Sequence, residues 1–138
     1  MIILDTNVLS ALMRSAPEPK VVAWLDRQPA ESVWITSITA FEARMGLALL
    51  PVGRRRLLLE SALIRLLAED LGNRILPFDG DAATEAAALV AKRKRAGRPV
   101  DFRDTQIAGI ALARRAVLAT RNVRHFADLS VQVLNPWE

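Results

Sequence analysis

The chain of 138 residues has no cysteine and a single histidine, His125. The first absence excludes disulfides and thiolate metal sites. The second excludes any centre built from several imidazoles. A serine-hydrolase arrangement would have to use His125, and no Gly-x-Ser-x-Gly turn is present to support one. Hydrophobic residues make up 51% of the chain, yet no uncharged apolar run reaches the roughly 18 residues of a membrane-spanning helix. The N-terminus shows no basic segment followed by a long apolar one, so no signal peptide is expected and a cytoplasmic location is. Internal repeats, low-complexity tracts and linkers are missing as well. At roughly 100–200 residues per domain, the length fits one.

What the chain does have is an excess of base. Lys20, Lys92 and Lys94 are the only lysines among 19 basic residues; the rest are arginine, against 15 acids, for a net charge of +4 and a pI of about 10.6. Arginine suits bidentate phosphate contacts. A polyanionic partner and a merely solvated arginine-rich surface both fit this composition.

The order of elements narrows the fold. Ile2–Leu4, Val33–Thr36, Arg74–Phe78, Val117–Thr120 and Val131–Leu134 read as short strands. Asn7–Met13, Lys20–Arg27, Ile38–Leu50, Arg54–Leu71, Asp81–Ala96 and Arg103–Arg115 read as helices, several closed by Gly or Pro. Strands alternating with helices predict a single α/β domain over residues 1–138, its parallel sheet of four to five strands covered by helices on both faces.

Three acids recur in one context. Asp5 follows the first strand, Glu42 lies in the first turn of the helix after the second, and Asp104 lies in the first turn of the helix that feeds the fourth. A helix packed antiparallel to the strand it precedes starts at that strand's C-terminal edge, so the three should share an edge with Asn122. In open α/β sheets that edge is where ligands bind. Each acid also has an ordinary explanation. Acids favour helix N-termini by roughly 0.3–1 kcal/mol, Thr39-Ala40-Phe41-Glu42 fits a capping box, and Asp5 and Asp101 fit N-caps. Jointly they make a stronger case, because converging carboxylates repel one another and a divalent cation removes the conflict. Mg²⁺ takes a few carboxylates plus water and phosphate oxygens. Such an ion can activate an attacking water, polarise a phosphoryl oxygen and stabilise the leaving oxygen, with no histidine or serine nucleophile.

At these residues the chain resembles the PIN-domain family. The segments are Ile3-Leu4-Asp5-Thr6-Asn7, Thr39-Ala40-Phe41-Glu42-Ala43-Arg44-Met45-Gly46, Asp104-Thr105-Gln106-Ile107-Ala108-Gly109 and Ala119-Thr120-Arg121-Asn122-Val123-Arg124-His125-Phe126. It is similar to VapC-type toxin ribonucleases, and to their FitB-like branch above all, through the ending Asn135-Pro136-Trp137. The resemblance implies a Mg²⁺-dependent ribonuclease, with Mn²⁺ as a substitute. It implies Asp5, Glu42 and Asp104 as the acidic site, homodimers, and a small antitoxin partner, the two combining into larger assemblies. Many relatives carry a fourth acid where this chain has Asn122, so a second metal is in question; Asp101 and Asp128 stand as alternatives for the missing charge.

Around that centre, Thr6 and Thr120 fit either local turn bonding or a role orienting carboxylates. Arg121 and Arg124 fit RNA phosphate contacts or a solvated loop. The Lys92–Arg95 and Arg98 cluster is accounted for by the helix dipole, Arg54–Arg56 open a helix at the end that disfavours cations, and His125 reads as a structural loop residue. The expectation is a metal-dependent endoribonuclease acting through a metal-activated water. The alternatives are a nucleic-acid-binding protein with a silent metal site and a DNA nuclease using the same acids. A phosphoacceptor domain is disfavoured, since no lysine follows Lys94.

Overall fold

In chain order, the computed structural model, which describes all of Met1–Glu138, begins with Ile2–Leu4 (β1), Thr6–Met13 (α1) and Pro19–Asp26 (α2). Val33–Thr36 (β2), Ser37–Leu49 (α3) and Arg54–Arg65 (α4) follow, then Ile75–Leu76 (β3), Gly80–Arg95 (α5) and Phe102–Arg114 (α6). Val117–Ala119 (β4) and Val133–Leu134 (β5) complete the sheet. The helix starts have local chemical causes. Pro19 takes the first position of α2, where a missing N–H costs nothing. Thr36 accepts from the Thr39 N–H at 3.1 Å to open α3, and Asp79 accepts from the Ala82 N–H at 3.0 Å to open α5.

All five strands are parallel, in the order β3-β2-β1-β4-β5. The chain therefore grows outward from β1 to β3, returns, and lays β4 on the other flank of β1. That reversal opens a crevice at the C-terminal ends of β1 and β4. Successive residues of β1 point to opposite faces and both faces are covered. Leu4 joins a core with Val8, Leu9, Val21, Ile35, Leu47 and Leu63, from the α1–α4 side. Ile3 joins another with Leu89, Ile107, Ile110, Leu118 and Phe126, from the α5–α6 side. No helix is long and apolar enough to cross a membrane.

Three boundaries differ from the sequence pattern, the first two for reasons visible in the hydrogen bonds. The helix expected over Arg54–Leu71 widens after Arg65 into a π turn over Leu66–Asp70, where the Leu71 N–H donates to Leu66 O at 2.8 Å. The widening lets Leu66, Leu67 and Leu71 all enter the core. The third strand pairs only at Ile75 and Leu76, because Pro77 has no N–H and the Phe78 N–H donates to the Ser37 hydroxyl at 3.2 Å instead. The last strand is confined to Val133–Leu134.

Helices α5 and α6 approach most closely at Gly109. A Cβ there would meet Ala82 O at 2.6 Å and Ala86 Cβ at 2.7 Å. Mid-helix Gly→Ala ordinarily stabilises by about 1 kcal/mol, but backbone on the facing helix cannot move aside as a side chain can. Gly109→Ala is expected to destabilise by about 1–3 kcal/mol, read from urea unfolding; a gain in stability would refute the close approach.

Candidate active site

Asp5 sits at the tip of β1, in the crevice made by the strand reversal. It is 3% exposed and is the N-cap of α1, accepting from the Thr6 N–H at 2.8 Å on Oδ1. Its Oδ2 accepts from the Thr120 hydroxyl at 2.7 Å and the Asn7 amide at 3.3 Å. The capping reading of Asp5 is met, and the cap leaves its second oxygen to the groups at the strand ends. Burial pushes its pKa up to about 6 against the lowering effect of these bonds, and the charges of Asp104 and Glu42 add to the rise. Keeping the carboxylate ionised costs the fold about 3 kcal/mol, more than a single N-cap gains.

Glu42 lies in the second turn of α3, too deep for the first-turn dipole effect. The capping box expected from Thr39 and Glu42 does not form, because Thr36 caps the helix and places Thr39 inside it. Glu42 instead accepts from the Thr6 hydroxyl at 2.8 Å. With that proton committed, the 3.0 Å contact between Thr6 and Thr39 requires Thr39 to donate to Thr6, and Thr36 donates to Thr39 at 3.4 Å. Three hydroxyls thus align toward one carboxylate, each polarising the next. Arg103 approaches the other Glu42 oxygen at 3.6 Å.

Asp104 enters from the first turn of α6, which Asp101 caps by accepting from the Arg103 and Asp104 N–H groups at 2.9 and 3.1 Å. Its pKa is raised by burial and by the Asp101 charge, against the pull of His125, whose Nδ1 stands 3.5 Å from Oδ2. Asn122 follows β4 with its N–H on the Thr120 hydroxyl at 3.0 Å, leaving an exposed side chain. Arg121 and Arg124 are exposed on the same segment, and the Arg121 guanidinium lies 5.0 Å from the centroid of the Trp137 ring.

The carboxylates share one neighbourhood without closing on one point: no three acidic or histidine side chains stand in a metal-ligating group. Each is turned to a protein donor or cation, Asp5 to Thr120, Glu42 to Thr6 and Arg103, and Asp104 to His125. Neither proposed substitute for the fourth acid joins them. Asp101 is spent as a cap, and Asp128 is held by Arg93 and Arg98 at 2.9 and 2.8 Å. The dipole reading of the basic cluster fails at Arg93, which is buried. Sequence reasoning also passed over Asn7, which donates to Asp5 and Thr120 and accepts from the Arg121 N–H at 3.2 Å. Its place two residues after Asp5 was the only available sign. A cavity of about 1100 Å³ lies between the end of α1 and α4, lined by Met13, Arg14, Arg54, Leu58 and Leu66 among others; Asp5, Glu42 and Asp104 do not border it.

A PIN domain model matches residues 2–131. The chain is 39% identical to "VapC ribonuclease Y4jK" of Sinorhizobium fredii over all of its own length and 99% of that protein. It is 38% identical to "Toxin FitB" of Neisseria gonorrhoeae over 99% of each chain. Among solved structures, a chain from "FitAB bound to IR36 DNA fragment" superposes with a TM-score of 0.89 at 37% identity, covering all of this chain and 96% of that one.

The buried Asp5 predicts an unusual stability response. An acid whose folded pKa exceeds its unfolded value binds more protons when folded, so its contribution to stability is lost as pH rises from about 4 through about 6. Asp5→Asn removes that loss. With chelator present, the variant is expected to be more stable than the native chain by about 1–3 kcal/mol at pH 8, the difference shrinking toward pH 4. Urea unfolding at the two pH values checks it, and a destabilised variant at pH 8 contradicts it.

Proposed function

The chain belongs to the PIN-domain family, and from that premise we propose that it is a divalent-metal-dependent endoribonuclease, the toxin of a type II (VapBC-type) toxin–antitoxin pair. The observation that carries the reading is the placement of Asp5, Glu42 and Asp104 at the strand reversal, with Asp5 buried against its own ionisation. The N-cap returns only part of that cost, whereas a bound cation would offset it. The donor set fits Mg²⁺ or Mn²⁺: three carboxylates, an amide at Asn122, and neither thiolate nor an imidazole cluster. The names of the relatives, a ribonuclease and a toxin, support the activity and the biology.

In this reading Asp5, Glu42 and Asp104 hold the ion. When bound, it supplies charge stabilisation at the phosphoryl group and acidifies the attacking water. The protein's own task is to keep the oxygens aimed. Thr120 and Asn7 orient Asp5, and the hydroxyl chain ending at Thr6 orients Glu42. Asn122 contributes an uncharged ligand or a hydrogen bond to the water, which favours one ion over two. Arg121, over the Trp137 ring, and Arg124 would offer guanidinium groups to RNA phosphates on the rim. Arg103, 3.6 Å from Glu42, would compete with an ion for that carboxylate.

The protein is proposed to act as a homodimer and to be neutralised by a small antitoxin, the two forming a larger assembly in the cytoplasm. A solved relative from Mycobacterium tuberculosis, 26% identical with a TM-score of 0.69 and a member of the VapBC family of toxin–antitoxin systems, supports the partner. The wide apolar arc of α4, with Leu57 and Leu58 exposed beside Arg54 and Arg55, offers it a surface.

Cleavage of single-stranded RNA with Mg²⁺ is expected to stop on adding EDTA. Asp5→Asn and Asp104→Asn should each cut the rate at least 100-fold, on the order of 3 kcal/mol of transition-state stabilisation, with the circular dichroism of the folded chain retained. Wild-type rates in both variants would remove these acids from the mechanism. RNA binding without EDTA-sensitive cleavage would favour a silent metal site, and preferential cleavage of DNA would change the substrate. A short reading frame immediately upstream, whose product copurifies with this chain, is expected for the antitoxin.

A further inference from the structure

Arg93, near the C-terminal end of α5, is 4% exposed, a rare state for a cation. Helix-dipole compensation accounts for its exposed neighbours Lys92, Lys94 and Arg95, but not for a guanidinium turned inward. All three of its nitrogens are committed. Nε donates to Asp128 Oδ2 at 3.0 Å, Nη1 to the Thr105 hydroxyl at 3.2 Å, and Nη2 to Asp128 Oδ1 at 2.9 Å and the His125 carbonyl oxygen at 2.8 Å. The Thr105 hydroxyl passes its own proton to Asp101 O at 2.7 Å, and Arg98 closes the outer side of Asp128 at 2.8 Å.

These partners belong to three separate segments: α5, the first turn of α6 next to Asp104, and the Asn122–Asp128 segment that carries Arg124 and His125. A buried ion pair offers little net stability over apolar packing. A two-point guanidinium–carboxylate contact does fix distance and angle together, and here it does so directly behind the candidate site.

We propose that Arg93 is a positioning residue of the acidic site. Its bracket on Asp128 and its bonds to Thr105 and the His125 carbonyl lock the turn bearing Asp104 against the segment bearing Asn122 and His125. The metal-dependent part of this proposal rests on the nuclease reading. The geometric part does not, because it stands on the contacts of Arg93 with Asp128, Thr105 and His125 alone. Lysine at this place keeps the charge but lacks the planar fork that grips the carboxylate at two points.

The test compares Arg93→Lys and the milder Asp128→Asn in the full chain, with Arg98→Ala as a control on the exposed side of the same carboxylate. In metal-free protein, amide exchange is expected to accelerate at least tenfold across residues 123–128 and at Thr105 in both variants, with β1 and β2 unchanged. Arg98→Ala should stay within twofold of the native chain. Calorimetric titration with Mn²⁺ should show affinity about tenfold weaker in Arg93→Lys, and the RNA cleavage rate should fall in kcat with KM nearly constant. Uniformly faster exchange throughout the chain, or local exchange and Mn²⁺ affinity both within twofold of native, would overturn the proposal. If the native chain neither binds Mn²⁺ nor cuts RNA, the nuclease reading fails on its own. Exchange at residues 123–128 then decides whether Arg93 positions this segment.

Discussion

A carboxylate is held out of water at the one place in the sheet where the strand order reverses. Much of the molecule around it follows from that constraint. The reversal leaves β1 flanked by β2 and β4, so whatever follows β1 faces residues that follow both neighbours. Asp5 occupies that spot, and burial works against its charge. Its surroundings consist of groups that can tolerate such a neighbour: a helix N-terminus, a hydroxyl and an amide, all donating. They lessen the conflict without removing it. A fold shaped by stability alone is better served by a neutral residue there.

Threonine has an uncommon part in this arrangement. Thr36, Thr39, Thr105 and Thr120 are buried, and no buried side-chain polar atom lacks a partner. A hydroxyl can accept from a backbone N–H and donate onward at once. Thr36 caps α3 while feeding the chain of protons that ends at Glu42, and Thr120 receives two donors while donating to Asp5. The same atoms that finish secondary structure therefore aim the carboxylates. On the far side of the crevice Arg93 has the equivalent structural task with a charge in place of a hydroxyl, tying α5, α6 and the segment after β4 together.

The strands, the helices and the shared edge of Asp5, Glu42 and Asp104 were legible because they depend on short-range patterns. Apolar runs, Gly and Pro stops and acids near helix starts lie within a few residues of one another. The capping box at Thr39 was misread because Thr36 and Thr39 are equally good caps by composition; the start of α3 is set by where β2 ends its pairing. The third strand was read too long because Pro77 was not weighed against the N–H that pairing requires. Arg93 was read as surface because its helix neighbours are charged, and its partner Asp128 lies 35 positions away.

By itself, then, the sequence determined an α/β chain with three acids at strand and helix ends and no alternative catalytic groups. Local propensity and composition suffice for that. Tertiary structure decided how those acids are held. Packing put Asp5 in the dry crevice, turned Glu42 to Thr6 and Arg103, paired Asp104 with His125, and withdrew Asp101 and Asp128 from the site. These are contacts between residues distant in the chain. Their geometry comes from the order in which the strands assemble, which no local pattern encodes.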